Sequence, residues 1–179
     1  QPGVQVAMPL DDHTLASLDG WGRWIEKLEL KPDGDRLVPS VVYSETHGMD
    51  PWFANELRIG DRLYAFEHRM LRGFDLRTGK ALFRVPIPQE YRSSTLCDGL
   101  FYLRNYHGDM GLGAPSETGL EILSTFSPGK RREEAATFPA VAGGRLYLRD
   151  QERLRCYDVR TPEFKESPPA WAIASRVRP

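Results

Sequence analysis

The sequence predicts an all-β chain, a partial β-propeller of about three to four four-stranded antiparallel blades. Three observations carry that expectation. Turn formers are abundant, with 16 Gly and 14 Pro among 179 residues, which favours many short strands over helices. One stretch of the chain repeats itself without a gap. Several predicted strands also carry apolar side chains at successive positions, the pattern of a sheet covered on both faces.

The repeat sets Gly60–Thr78 on Gly143–Thr161, where 9 of 19 positions are identical. Arg62-Leu63-Tyr64 falls on Arg145-Leu146-Tyr147, and Asp75 and Asp158 each follow their Tyr by 11 residues. A degraded third copy lies between them at Gly99-Leu100-Phe101-Tyr102-Leu103. Its turn is expected at Ser127-Pro128-Gly129-Lys130, matching Arg77-Thr78-Gly79-Lys80. Tyr64, Tyr102 and Tyr147 are then 38 and 45 residues apart. Repeats of about 40–50 residues built from short strands mark propeller blades.

Taken in order, residues 1–54 read as a diverged N-terminal blade or an extension. Trp24–Leu30 alternates like a strand, and Pro39–Tyr43 is a second strand candidate. Residues 55–162 hold the blades. Leu63–Phe66 and Leu100–Leu103 are apolar throughout, and Ala81–Val85 supplies a fourth strand after the Thr78-Gly79-Lys80 turn. Phe138–Ala142 is a short strand, and Gly143-Gly144 is the hairpin turn that allows positive φ. Arg145–Leu148 and Leu154–Tyr157 flank a polar turn at Asp150-Gln151-Glu152. Glu133–Ala136 are helix formers, but Phe138-Pro139 closes that stretch at once. Residues 163–179 read as a Pro-rich C-terminal tail. A first residue of Gln predicts a fragment or a processed product, and so few blades predict an open arc.

Charge and composition exclude several classes. A balance of 24 Lys+Arg against 25 Asp+Glu gives no basic surplus for nucleic acid or a membrane surface. No apolar run approaches the roughly 20 residues that cross a bilayer. Cys97 and Cys156 have no metal-ligand spacing and read as two small buried hydrophobes, with a disulfide between them left open. No Ser–His–Asp order, zinc spacing or nucleotide fingerprint occurs.

The run Pro139–Tyr147, followed by Leu154–Asp158, resembles the blades of PQQ-like (quinoprotein-type) β-propeller repeat proteins. So does Phe74–Lys80 with an aromatic at Phe83, where that family usually closes its blade with Trp. The family includes quinoprotein alcohol dehydrogenases and the propeller lipoproteins of bacterial outer-membrane assembly. For an enzyme, the resemblance implies pyrroloquinoline quinone on Ca²⁺, held by carboxylate and amide ligands beside adjacent cysteines. Cys97 and Cys156 are not adjacent, and no catalytic residue of the family falls on a matching position here. The resemblance therefore implies no catalytic residue, no cofactor and no metal, and a bacterial, periplasmic or otherwise extracytoplasmic setting.

Two stretches stand out as interaction loops. The distance from Tyr102 to Lys130 exceeds that from Tyr64 to Lys80, which predicts an inserted loop over residues 105–117. Asn105, His107, Asp109 and Glu117 there offer donors of the kind that hold a cation or a polar ligand. The second stretch is 47–53, where His47, Asp50 and Trp52 suit a partner-binding edge. Tyr64, Asp75, Gly79, Phe83, Tyr102, Gly129, Tyr147 and Asp158 read as structural repeat positions, the acids capping turns. The expected function is a scaffold or protein-interaction module whose partner is a protein or further propeller blades. Alternatives are a piece of a PQQ-dependent dehydrogenase lacking its catalytic blades, and a sugar- or ion-binding propeller.

Overall fold

The computed structural model describes residues 5–19, 24–48, 56–129, 137–150 and 152–160. They form four antiparallel sheets, each meandering in chain order. Sheet 1 comprises β1 (Gln5–Pro9), β2 (Thr14–Asp19), β3 (Trp24–Asp33) and β4 (Arg36–Thr46). Sheet 2 comprises β5 (Glu56–Ile59), β6 (Arg62–Glu67), β7 (Met70–Asp75) and β8 (Ala81–Pro86). Sheet 3 comprises β9 (Tyr91–Cys97), β10 (Leu100–Asn105), β11 (Met110–Pro115) and β12 (Leu120–Phe126). Sheet 4 has three described strands, β13 (Ala140–Ala142), β14 (Arg145–Asp150) and β15 (Arg153–Asp158). No described residue is helical.

The sheets stack face to face, and the core consists of the three layers between them. Because strand side chains alternate, β6 serves two layers at once. Leu63 and Ala65 pack with Ala16 and Ile25 of sheet 1, while Tyr64 and Phe66 pack with Phe101 and Leu103 of sheet 3. β10 repeats the arrangement: Phe101 and Leu103 face sheet 2, and Tyr102 joins Met110, Leu146 and Leu148 in the layer against sheet 4. Each fully buried Leu or Phe contributes about 1.5–3 kcal/mol by leaving water. The Tyr64 ring meets Phe101 edge-on at 5.2 Å, and its hydroxyl donates to the Ser116 carbonyl of sheet 3 at 2.8 Å.

The sequence repeat is a structural one. In sheet 2, Asp75 Oδ1 accepts from the Arg77 amide at 2.9 Å, and the Leu76 amide donates to Asp61 O at 2.8 Å. In sheet 4, Asp158 Oδ1 accepts from the Arg160 amide at 3.1 Å, and Val159 donates to Gly144 O at 3.0 Å. Gly79 sits in the Asp75 turn at φ +75°, against the Tyr43 ring of sheet 1. Phe83 lies across its strand partner Gly73 and joins the layer facing sheet 3, so it occupies the space between blades. Sheets 3 and 4 are tied by polar groups as well. Arg104, 1% exposed, donates from Nη1 to the Arg149 carbonyl at 2.8 Å and to Thr137 Oγ1, and Ser93 Oγ donates to Thr137 O at 3.0 Å.

Two expectations about the middle copy are corrected. Residues 105–117 are not an inserted loop, because Met110–Pro115 forms β11, the third strand of sheet 3. Its glycines are packing positions: a Cβ on Gly111 would stand 2.8 Å from the Tyr91 hydroxyl, and one on Gly113 2.7 Å from Leu120 Cδ1. The turn before the fourth strand is therefore Ser116–Gly119, with its own Thr118-Gly119 pair, and Gly129 follows β12 instead of preceding it. In sheet 4 the first strand starts at Ala140, leaving Phe138 outside it and 58% exposed. The helix formers at 133–136 and the tail at 163–179 lie outside the described residues.

Two substitutions test this packing by urea denaturation. Gly73→Ala places a methyl 2.1 Å from Phe83 Cε1 and is expected to cost about 1–3 kcal/mol; an unchanged midpoint would show that Phe83 does not rest on Gly73. The Tyr91 hydroxyl is buried without a hydrogen-bond partner. Tyr91→Phe should therefore raise stability, by about 1 kcal/mol, and a loss of stability would reveal a partner for that hydroxyl.

Candidate functional site

Three connections converge at one edge of sheets 2 and 3: the β6–β7 turn, the β8–β9 link and the β10–β11 turn. They border an open groove of about 340 Å³ lined by Arg69, Pro88, Gln89, Glu90, Arg92, Asn105, Tyr106 and His107. Arg69 is fixed by donating from Nη2 to Pro88 O at 2.6 Å. Arg92 bonds Glu90 Oε1 through Nε at 3.0 Å while its guanidinium lies 4.3 Å from the centre of the Tyr106 ring. Tyr106 in turn meets the His107 ring edge-on at 5.5 Å. His68, in the β6–β7 turn at φ 50°, holds Nδ1 4.0 Å from Glu90 Oε2. The groove therefore offers guanidinium, imidazole and phenol groups on a supported backbone. That chemistry suits recognition of carboxylates and backbone carbonyls.

The residues expected from the sequence divide sharply. Asn105 is 6% exposed and spent on its own turn: Oδ1 accepts from the Asp109 amide at 2.9 Å, and Nδ2 donates to Gln89 Oε1 at 2.5 Å and Asp109 Oδ2 at 3.3 Å. Asp109 is thereby a turn partner, and His107 is exposed beside it. Glu117 is exposed at the β11–β12 turn and does not line the groove. His47 docks sheet 1 onto sheet 2, with Nε2 2.8 Å from Gly79 O and its ring 4.6 Å from Phe74. Asp50 and Trp52 lie outside the described residues.

Several charged groups of the interior gave no signal in the sequence. Glu67, 6% exposed, binds Arg72 at 2.8 Å and approaches Arg84 at 3.6 Å. Glu56 begins the edge strand β5; it pairs with Ala65, and Leu57 packs toward sheet 3, so Glu56 points to the opposite face. Burial pushes its carboxyl up from 4.5 to about 7. Asp75 moves the other way, held below the usual carboxylate range by the Arg77 side chain and amide.

No family model and no curated protein matches the chain. Solved structures do. A propeller chain in the crystal structure of the mitotic checkpoint complex aligns over 84% of this chain with a TM-score of 0.60 and 13% identity. BamB from Moraxella catarrhalis, a PQQ-like β-propeller lipoprotein, aligns over 83% with a TM-score of 0.59 and 14% identity. The chain folds as a β-propeller segment. It spans 48% and 44% of those two propeller chains, and each of its sheets is a blade. Among the described residues no helix is long and apolar enough to cross a membrane.

No three His, Cys, Asp or Glu converge among the described residues. The acids of the repeat motif, Asp75 and Asp158, bond Arg77 and Arg160. Cys97 and Cys156 are both free thiols, and neither is the buried hydrophobe expected from the sequence: Cys97 is half-buried and Cys156 exposed.

Glu56 makes stability depend on pH in a defined direction. Its folded-state pKa lies above its ordinary value, so the folded chain keeps a proton that the unfolded chain has already lost. The contribution is complete below the ordinary value of 4.5 and is lost as pH rises to about 7. The total is about 3 kcal/mol. Glu56→Gln should remove that decline from urea titrations at pH 4.5 to 7. Parallel wild-type and variant profiles would show that Glu56 is solvated.

Proposed function

We propose that the chain is a non-catalytic, PQQ-like propeller segment that serves as a protein-interaction scaffold outside the bacterial cytoplasm. The observation that carries this reading is the edge groove, where Arg69, Arg92, Tyr106 and His107 gather on connections held by two stacked blades. β6 and β10 spend their apolar side chains on neighbouring blades, and the turns beside them are free to meet a partner. A basic and aromatic groove fits an extended segment of a partner protein that carries acidic side chains. The setting is supported by the likeness to BamB, and the scaffold role by a propeller neighbour that belongs to a multiprotein complex.

Site-directed photocrosslinking tests the proposal. A crosslinking residue at His107 should capture one dominant protein in the cells that make this chain, and Arg92→Ala with Tyr106→Ala should abolish capture. The same residue at Asp35, in the β3–β4 turn, should capture far less. Capture that ignores the groove substitutions would remove the groove from the role. One-to-one retention of pyrroloquinoline quinone with Ca²⁺ in equilibrium dialysis would overturn the non-catalytic reading itself.

A further inference from the structure

Sheet 2 carries a second open recess, at the end of the blade opposite the groove, where the β5–β6 and β7–β8 turns lie side by side. Its volume is about 250 Å³. Tyr64 forms part of the lining, with its hydroxyl already donated to Ser116 O at 2.8 Å. Ile59, 37% exposed, and Leu82, 46% exposed, are its apolar walls. Strand pairing places the charged groups beside them. Arg62 pairs with Ile59 on one side and Asp75 on the other, and side-chain alternation turns it to the same face as Tyr64.

The charges of the recess are unevenly matched. Arg77 lies between its two acids, with Nη2 3.2 Å from Asp75 Oδ2 and Nε 3.9 Å from Asp61 Oδ2. Arg62 is half-buried and makes no hydrogen bond or ion pair with any described residue. The repeat shows what differs. Arg145 holds the same place in sheet 4, and there Nη1 lies 4.0 Å from Cys156 Sγ. Cys156 is the strand partner of Tyr147, whereas the partner of Tyr64 is Gly73, which has no side chain to offer. A guanidinium drawn partly out of water keeps a desolvation cost until an acceptor meets it.

We propose that this recess binds a carboxylate carried beside a large aliphatic group, with Arg62 as the anion contact. A planar guanidinium donates two parallel bonds to a carboxylate. Ile59, Leu82 and the Tyr64 ring line the space for the aliphatic part. Two acids already stand opposite two guanidinium groups there, so one added negative charge is tolerated where the two of a phosphate monoester are repelled. The volume falls just below the roughly 300–1,000 Å³ of drug-sized sites, which suits a ligand about one amino-acid residue in size. The C-terminal residue of a polypeptide and a free acid of the same build share that chemistry. Binding here is independent of the groove, whose lining residues are all different.

Titration of the isotope-labelled 179-residue chain, followed at the Arg62 Nε–H and at the Ile59 and Leu82 methyl resonances, tests the site. N-acetyl-leucine should shift all of them with a Kd of about 1 mM. N-acetyl-leucinamide, which lacks the charge, should leave the Arg62 resonance in place. Arg62→Lys and Arg62→Gln should each weaken binding of the acid about tenfold or more without moving the urea midpoint. An Arg62 resonance that N-acetyl-leucine does not move, or moves no more than the amide does, would overturn the proposal. Shifts confined to Arg69 and His107 of the groove would overturn it as well. A short Gly-Ser peptide ending in a free leucine carboxylate separates the two sources: binding as tight as that of N-acetyl-leucine or tighter supports a polypeptide terminus, and weaker binding a free acid. Crosslinking at His107 should be unchanged by Arg62→Gln, so the two sites are tested separately.

Discussion

The fold depends on strands that are buried on both faces. In β6, successive side chains go to different neighbours, Leu63 and Ala65 to sheet 1 and Tyr64 and Phe66 to sheet 3. An isolated blade would leave one of those rows in water, and each large side chain so exposed forfeits about 1.5–3 kcal/mol. Stability is therefore shared between neighbours, as in other repeat architectures where each unit is held by the ones beside it. The same constraint accounts for the glycines of β7 and β11. Phe83 can lie between sheets 2 and 3 because Gly73 has no side chain, and Tyr91 and Leu120 find room over Gly111 and Gly113.

The layers are not chemically equivalent. The layer between sheets 2 and 3 is aromatic, with Tyr64, Phe66, Tyr91 and Phe101 in edge-on contact. The layer between sheets 3 and 4 is thinner in apolar residues and adds the Arg104 guanidinium, bonded to Thr137 and to the Arg149 carbonyl. Buried polar contacts of that kind are costly to break, because each donor left behind keeps its desolvation penalty. They also require a specific register between blades, which apolar packing alone specifies less strictly.

Much of this architecture was legible in the sequence because the blade motif is local. Arg62-Leu63-Tyr64 and Asp75-Leu76-Arg77 form a strand and its turn through bonds between near neighbours, and their copies at 145–147 and 158–160 do the same. The middle blade departs from its sequence pattern for a physical reason. Gly111, Gly113 and Gly119 resemble loop glycines in sequence, whereas Gly111 and Gly113 are strand positions pressed against a neighbour's side chain. The groove was only partly visible: His107 stood out, but Arg69, Arg92 and Tyr106 approach it from separate connections. Glu56 and Arg104 gave no signal, since their burial is set by neighbouring sheets rather than by local pattern.

The fold requires β6 to be covered on both sides in one molecule. Side-chain nuclear Overhauser contacts measured on the isotope-labelled chain address that directly. The packing described here predicts contacts from Leu63 and Ala65 to Ala16 and Ile25, together with contacts from Tyr64 and Phe66 to Phe101 and Leu103. Contacts on one face alone, with the other row open to solvent, would contradict the stacked blades and everything built on them.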